Sequence, residues 1–271
     1  MLQWSDGRVL AHGIHIHYTR TGGNKPPVVL LHGFTDNGLC WTPVARVLEQ
    51  DYDVIMPDSR GHGLSDGPET GFSLKLQAED VAGLIRELAL EQPRLLGHSM
   101  GAATAALLAA DHPQLIRSIL LEDPPWPVTT LLSLQTREQD IKSNSFYRLI
   151  TGLKALTPEE RLVAARASNP MWSEDELGPW VESKEQLNMD VFTVGTPPPP
   201  WREVVSRITC PILLITGDPE KGAIITPEGA QEASHLWQNG QVVYIAGAGH
   251  NIRRDQFDRY IQVITTFLRE Q

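Results

Sequence analysis

Gly97-His98-Ser99-Met100-Gly101 matches the pattern G-x-S-x-G, in which a serine follows a strand and opens a helix. The short segment Arg94-Leu95-Leu96 before it predicts a strand, and the helix-forming residues 102–110 after it predict a helix. A turn this tight strains the serine backbone, and side chains at positions 97 and 101 would collide with neighbouring elements. The turn would lift the Ser99 hydroxyl clear of the sheet, where it can act as a nucleophile.

Strands and helices alternate on both sides of this turn. Short apolar runs typical of buried strands stand at 27–31, 52–56, 116–121, 210–215 and 242–245, and an alternating stretch at 8–20 predicts a further strand after a turn. Helical patterns lie between them, the clearest at 72–90. The fold class is therefore α/β, with a mostly parallel sheet covered by helices on both faces.

The alternation stops between residues 126 and 207, where the pattern is helical or irregular and ends in four consecutive prolines at 197–200. We therefore expect a core in two parts, 1–125 and 208–271, with a helical lid at 126–207 inserted after the sixth strand.

The inserted segment is rich in tryptophan. These side chains would pack the lid itself or form an apolar ceiling over a substrate. Trp126 is the best candidate for the pocket, because it directly follows the edge of strand six. A substrate with apolar or aromatic character is expected. The tryptophans of the segment are Trp126, Trp172, Trp180 and Trp201.

A serine hydroxyl needs a base to take its proton. His250 ends the sequence Gly247-Ala248-Gly249-His250, after the last predicted strand and before the last helix. It should therefore lie at the same edge of the sheet as Ser99, with the serine first and the histidine last in chain order. The other histidines are interpreted as surface or core residues.

Backbone amides near the serine could stabilise a negatively charged transition state. Met100 would begin the helix after Ser99, and Phe34 follows the strand at 27–31 in the sequence His32-Gly33-Phe34. The N–H groups of Phe34 and Met100 are predicted to form the oxyanion hole, where each donor typically contributes about 3 kcal/mol.

Four motifs in this order resemble the α/β-hydrolase superfamily: HGF at 32–34, DSRGHGLSD at 58–66, GHSMG at 97–101 and GAGH at 247–250. The similarity is to its capped esterases, lactonases and carbon–carbon bond hydrolases. It implies a Ser-His-acid triad, an acyl-enzyme intermediate and no cofactor. Haloalkane dehalogenases and epoxide hydrolases place Asp at the nucleophile position, so Ser99 argues against both. The loop at 58–63 resembles a mainly structural loop of the family.

The resemblance leaves the triad acid open between two positions. The family usually carries it after strand seven in a G-x-x-D pattern, where this chain has Gly217-Asp218-Pro219-Glu220. The second family position, after strand six, is Asp123. Glu220 is favoured over Asp123, with Asp218 third. A carboxylate in either place could orient the imidazole.

Composition excludes several other classes of protein. The 271 residues carry a formal net charge of -10 with a pI near 5.4, which disfavours nucleic acid and anionic membrane surfaces as partners. Cys40 and Cys210 form no disulfide framework, and no signal peptide or membrane span is indicated. A cytoplasmic protein is expected, with no metal site. Its oligomeric state is left open, a dimer included.

The expected activity is hydrolysis of a carboxylic ester or lactone of a largely apolar small molecule. Two alternatives remain open: a carbon–carbon bond hydrolase of ring-fission products, which would use the same triad, and a ligand receptor that keeps the hydrolase fold.

Overall fold

The computed structural model describes residues 4–126, 138–194 and 196–271. One sheet of eight strands runs through the chain in the order β1-β2-β4-β3-β5-β6-β7-β8. The strands are β1 Ser5–Ala11, β2 Ile14–Arg20, β3 Pro27–Leu31, β4 Asp53–Pro57, β5 Arg94–His98, β6 Ser118–Glu122, β7 Ile212–Thr216 and β8 Gly240–Tyr244.

The sheet is mostly parallel. Strands β1 and β2 form an antiparallel hairpin, and β2 pairs antiparallel with β4. From β4 to β8 every pairing is parallel. The carboxyl ends of β5, β6 and β7 therefore meet at one edge, with His98 paired to Glu122 at the end of β5 and β6. Residues that directly follow these strands are brought close together.

Helices cover both faces of the sheet. The α-helices are α1 Thr42–Leu48, α2 Leu74–Glu87, α3 Met100–Asp111, α4 Glu138–Ser143, α5 Ser145–Lys154, α6 Pro158–Ser168, α7 Glu174–Gln186, α8 Trp201–Ser206, α9 Pro227–Ser234, α10 Ile252–Asp255 and α11 Phe257–Glu270. Successive residues of the central strands belong to different apolar clusters: Leu95 packs in one with α2 and α3, and Leu96 in the other with α1 and α11. This two-sided burial explains the continuous apolar runs of the central strands.

Helices α4 to α8 all lie between β6 and β7, where the sequence predicted a helical insertion. Part of that predicted segment, 127–137 and residue 195, lies outside the described residues. Helix α7 packs against α1 and against the 3-10 turn Gly38–Trp41 of the core. Among the helices described, none is long and apolar enough to cross a membrane.

Candidate active site

Ser99 occupies the turn between β5 and α3. Its backbone has φ 52° and ψ -114°, a left-handed conformation that non-glycine residues rarely adopt. Two hydrogen bonds hold it there: the Ser99 amide donates to the carbonyl of Glu122 at 2.9 Å, and the Ser99 carbonyl accepts from Ala103 at 3.0 Å. The Ser99 side chain makes no capping hydrogen bond to α3, so the helix does not occupy its hydroxyl.

Two glycines permit this turn. A Cβ at Gly97 would lie 2.4 Å from the backbone of Gly101, and a Cβ at Gly101 would lie 2.2 Å from the carbonyl oxygen of Leu31. Both obstacles are backbone atoms, which a side-chain rearrangement cannot move away. The collision expected from the sequence is therefore present at both positions.

Asp123 and His250 form the central contact of the site. Asp123 follows β6 with φ 43° and is fully buried. Its Oδ2 lies 2.6 Å from Nδ1 of His250, and its two carboxylate oxygens also accept the amides of Ile224 and Ile225 at 2.8 and 2.9 Å. The carboxylate can only accept, so Nδ1 of His250 carries a proton and donates it in this contact.

The structure does not bring Glu220, the acid preferred from the sequence, to His250. Glu220 is exposed on the 3-10 turn Pro219–Lys221, whereas Asp123 contacts the histidine. Asp218 holds a loop instead, because its Oδ2 accepts the amide of Gly247 at 2.8 Å and its own amide donates to the carbonyl of Ala248 at 2.7 Å. The carboxylate after β7 therefore anchors the segment that leads to His250.

Ser99 and His250 line one cavity of about 370 Å³. Phe34 and Met100, the residues predicted to form the oxyanion hole, line it as well. The first amides of an α-helix lack intrahelical acceptors, and Met100 is the first residue of α3. The helices between β6 and β7 contribute to the apolar wall with Phe146 and Leu149 of α5 and Trp180 of α7, and Trp172 lies just before α7.

Trp126, the pocket candidate from the sequence, lines a different cavity from Ser99. It stacks on Trp201, with ring centroids 5.3 Å apart and planes 4° apart, beside a second cavity of about 550 Å³. Pro125 lines both cavities. The chain turns at Pro125, so the side chain of Trp126 lies in the wall of the second cavity.

A buried ionic cluster joins helix α7 to the core beside the cavity. Asp36 accepts from Lys184 at 3.0 Å and from Arg254 at 2.9 Å, and Arg254 also donates to Glu176 at 2.5 Å. Burial opposes ionisation of Asp36, but the charges of Arg254, Lys184 and Arg253 hold its pKa well below the usual range. Lys184 and Arg254 therefore each have a carboxylate partner, and Asp36, Lys184 and Arg254 also line the cavity.

The loop after β3 is held by a second histidine. Thr35, next to Phe34, has φ 73°, and its amide donates to Nε2 of His62 at 3.3 Å. Burial is the main reason that the pKa of His62 falls to about 3, so this ring stays neutral and can accept. The loop interpreted as structural from its sequence thus supports the segment that carries Phe34.

Sequence reasoning missed the ionic cluster and the role of His62. The RGHG residues at 60–63 were a signal for the loop, but nothing local marks Asp36, Lys184 or Arg254 as partners. Across the described parts of the chain, no group of three or more His, Cys, Asp or Glu side chains could hold a metal ion.

The model of the alpha/beta hydrolase family matches residues 28–263. The chain belongs to the α/β-hydrolase family. This α/β-hydrolase is 30% identical over 258 residues to 2-(acetamidomethylene)succinate hydrolase of Mesorhizobium japonicum, covering 92% of this chain and 90% of the relative. It is 28% identical over 271 residues to N-formylmaleamate deformylase of Pseudomonas putida, covering 97% and 96%.

Solved structures agree on the fold. The structure of N-formylmaleamic acid deformylase from Pseudomonas putida S16 superposes with a TM-score of 0.76 at 24% identity, covering 96% of this α/β-hydrolase and 100% of that chain. A naproxen esterase from Bacillus subtilis gives 0.75 at 19% identity, covering 98% and 92%. The relatives include hydrolases of several kinds, so the prediction of a hydrolase is confirmed at that level.

Proposed function

We propose that this α/β-hydrolase is a serine hydrolase that cleaves a carboxylic ester or lactone through an acyl-enzyme on Ser99. The observation that carries the proposal is the 2.6 Å contact of His250 with Asp123, in the same cavity as Ser99. A nucleophile, a base and a carboxylate that orients the base are the parts that such chemistry needs.

The reaction begins when Nε2 of His250 takes the hydroxyl proton of Ser99 while Oγ attacks the carbonyl carbon. The amides of Phe34 and Met100 hold the resulting oxyanion. The bond from carbon to the leaving oxygen then breaks, and His250 returns its proton to that oxygen. A water molecule, deprotonated by His250, attacks the acyl-enzyme and releases the acid and the free serine. Asp123 stays ionised throughout and stabilises the imidazolium.

The helices between β6 and β7 act as a lid in this proposal. Phe146 of α5 and Trp180 of α7 line the cavity that contains Ser99, so they would exclude water and contact the substrate. The ionic contacts of Lys184 and Glu176 fix α7 to the core. A largely apolar substrate suits the aromatic part of this wall.

A second candidate is cleavage of an acyl–nitrogen bond. Two relatives that cover nine-tenths or more of the chain are named for an acetamidomethylene succinate and an N-formylmaleamate. The same residues would act, with His250 protonating a leaving nitrogen instead of an oxygen. A carbon–carbon bond hydrolase of ring-fission products would also use these residues.

One assay panel separates these candidates. We would measure kcat/KM for p-nitrophenyl esters from acetate to octanoate, for N-acetyl and N-formyl anilides and for a ring-fission dienone, with Ser99→Ala as the blank. Ester turnover that Ser99→Ala lacks supports the proposal, and turnover of anilides or dienone alone would replace it with the corresponding alternative. No turnover of any of them would favour a receptor.

A further inference from the structure

His98 lies beside three segments of the candidate site: those that carry Ser99, His250 and Phe34. It precedes Ser99 in the chain, and its Nε2 lies 3.0 Å from the backbone carbonyl oxygen of His250. Its ring lies 4.7 Å from the ring of His250, centroid to centroid. On the third side, a Cβ added at Gly33, next to Phe34, would lie 2.6 Å from Nδ1 of His98.

The hydrogen bond fixes the protonation of His98. A carbonyl oxygen can only accept, so Nε2 carries the proton and donates it. Nδ1 is buried and has no hydrogen-bond partner among the residues described. Burial, followed by the charge of Arg253, holds the pKa of His98 well below its usual range, which agrees with a ring that remains neutral.

We propose that His98 is a positioning residue, which ties the loop of the catalytic base to the strand of the nucleophile through its Nε2–H bond to the carbonyl of His250. The inference rests on the proposed function, since it assigns His98 to the placement of that base. The backbone of His250 is held by His98 on one side and its ring by Asp123 on the other. In this proposal the two contacts together set the position of the imidazole in the cavity that Ser99 also lines. Misplacing a catalytic group by about 1 Å can cost 10²-fold in rate.

Three substitutions separate this role from simple packing. His98→Phe keeps a ring but removes the donor, and His98→Asn keeps an amide that is too short to reach. His98→Gln can place an amide N–H near the position of Nε2. The readouts are the rate of covalent labelling by a fluorophosphonate, which needs no knowledge of the substrate, and kcat and KM for a p-nitrophenyl ester. Thermal unfolding midpoints confirm that each variant is folded.

We expect labelling and kcat to fall about tenfold to hundredfold in His98→Phe and His98→Asn, with KM within about twofold, and His98→Gln to recover most of the rate. Folded Phe and Asn variants that label as fast as wild type would overturn the inference while leaving the proposed function intact. A rate loss shared equally by Gln and Asn would also overturn it, since the donor would then not matter. Wild-type protein that is not labelled at all would instead contradict the proposed function.

Discussion

His250 and Asp123 stand 127 positions apart in the chain, and their side chains meet at 2.6 Å. The contact forms because Asp123 leaves β6 with a positive φ and the amides of Ile224 and Ile225 hold its carboxylate. Ser99 leaves the neighbouring strand β5 in the same direction. The order of the strands therefore brings the three proposed catalytic residues together.

The choice of Asp123 as the acid leads to a paired prediction. Asp123→Asn should lower kcat for a p-nitrophenyl ester by about 10⁴-fold, because an amide at this place favours the wrong imidazole tautomer. Glu220→Gln removes the same charge from an exposed turn and should stay within about twofold of wild type. The measurement is the steady-state rate of both variants. The assignment is wrong if Glu220→Gln shows the large loss and Asp123→Asn does not.

The positions of Trp126 and Phe146 predict which aromatic side chain contacts a small ester. Phe146 lines the cavity of Ser99, whereas Trp126 lines the cavity beside it. Removing an apolar contact that contributes about 1.4 kcal/mol to binding weakens the affinity about tenfold. We therefore expect Phe146→Ala to raise KM for p-nitrophenyl butyrate by about tenfold, and Trp126→Ala to leave it nearly unchanged. The reverse order of effects would place the substrate in the second cavity.

Two glycine substitutions, one in the nucleophile turn and one in α5, should have opposite effects on stability. Gly101→Ala would place a Cβ 2.2 Å from a backbone oxygen, so we expect a large fall in the unfolding midpoint or failure to fold. Gly152→Ala, in α5, meets nothing within 4 Å and should stabilise by about 0.5–1 kcal/mol through better helix propensity. Calorimetry of both variants checks this, and a Gly101→Ala protein as stable as wild type would refute the packing of the turn.

The depressed pKa of Asp36 predicts how stability depends on pH. Since the folded pKa lies below the unfolded value of about 3.9, the ionised carboxylate contributes stability above that value and loses it as pH falls through the folded pKa. Asp36→Asn should therefore cost about 3 kcal/mol at pH 7, because it leaves buried cations without their partner. The difference from wild type should shrink below about pH 4.

Urea unfolding at pH 7 and in steps below about pH 4 measures this difference. The control is Asp190→Asn, which removes a carboxylate from an exposed position. It should match wild type at every pH. Equal free energies of unfolding for wild type and Asp36→Asn at neutral pH would show that the cluster does not stabilise the attachment of α7.

Much of the fold and part of the candidate site could be predicted from the sequence, because the decisive signals are local. The glycines at 97 and 101, the apolar runs of the central strands and the histidine after the last strand each reflect constraints within a few residues. The acid could not be chosen in that way. Which carboxylate reaches His250 depends on amides at 224 and 225, which belong to a loop after another strand.

Contacts between the inserted helices and the core could not be predicted from the sequence either. Lys184 and Asp36 are 148 positions apart, and each alone is typical of a solvated side chain. Only the packing of α7 on the core buries them together. The position of Trp126 also depends on a residue far along the chain, because its ring stacks on Trp201.

An acyl group bound to Ser99 during turnover would be the most direct evidence for the proposed acyl-enzyme. Wild-type protein would be quenched with acid while it hydrolyses p-nitrophenyl acetate, and its peptides would be mapped by mass, with Ser99→Ala treated in parallel. We expect one acetyl group on the peptide that contains Ser99, and neither turnover nor that acetyl group in Ser99→Ala. An acetyl group on another residue during turnover, or undiminished turnover in Ser99→Ala, would contradict the proposed acyl-enzyme.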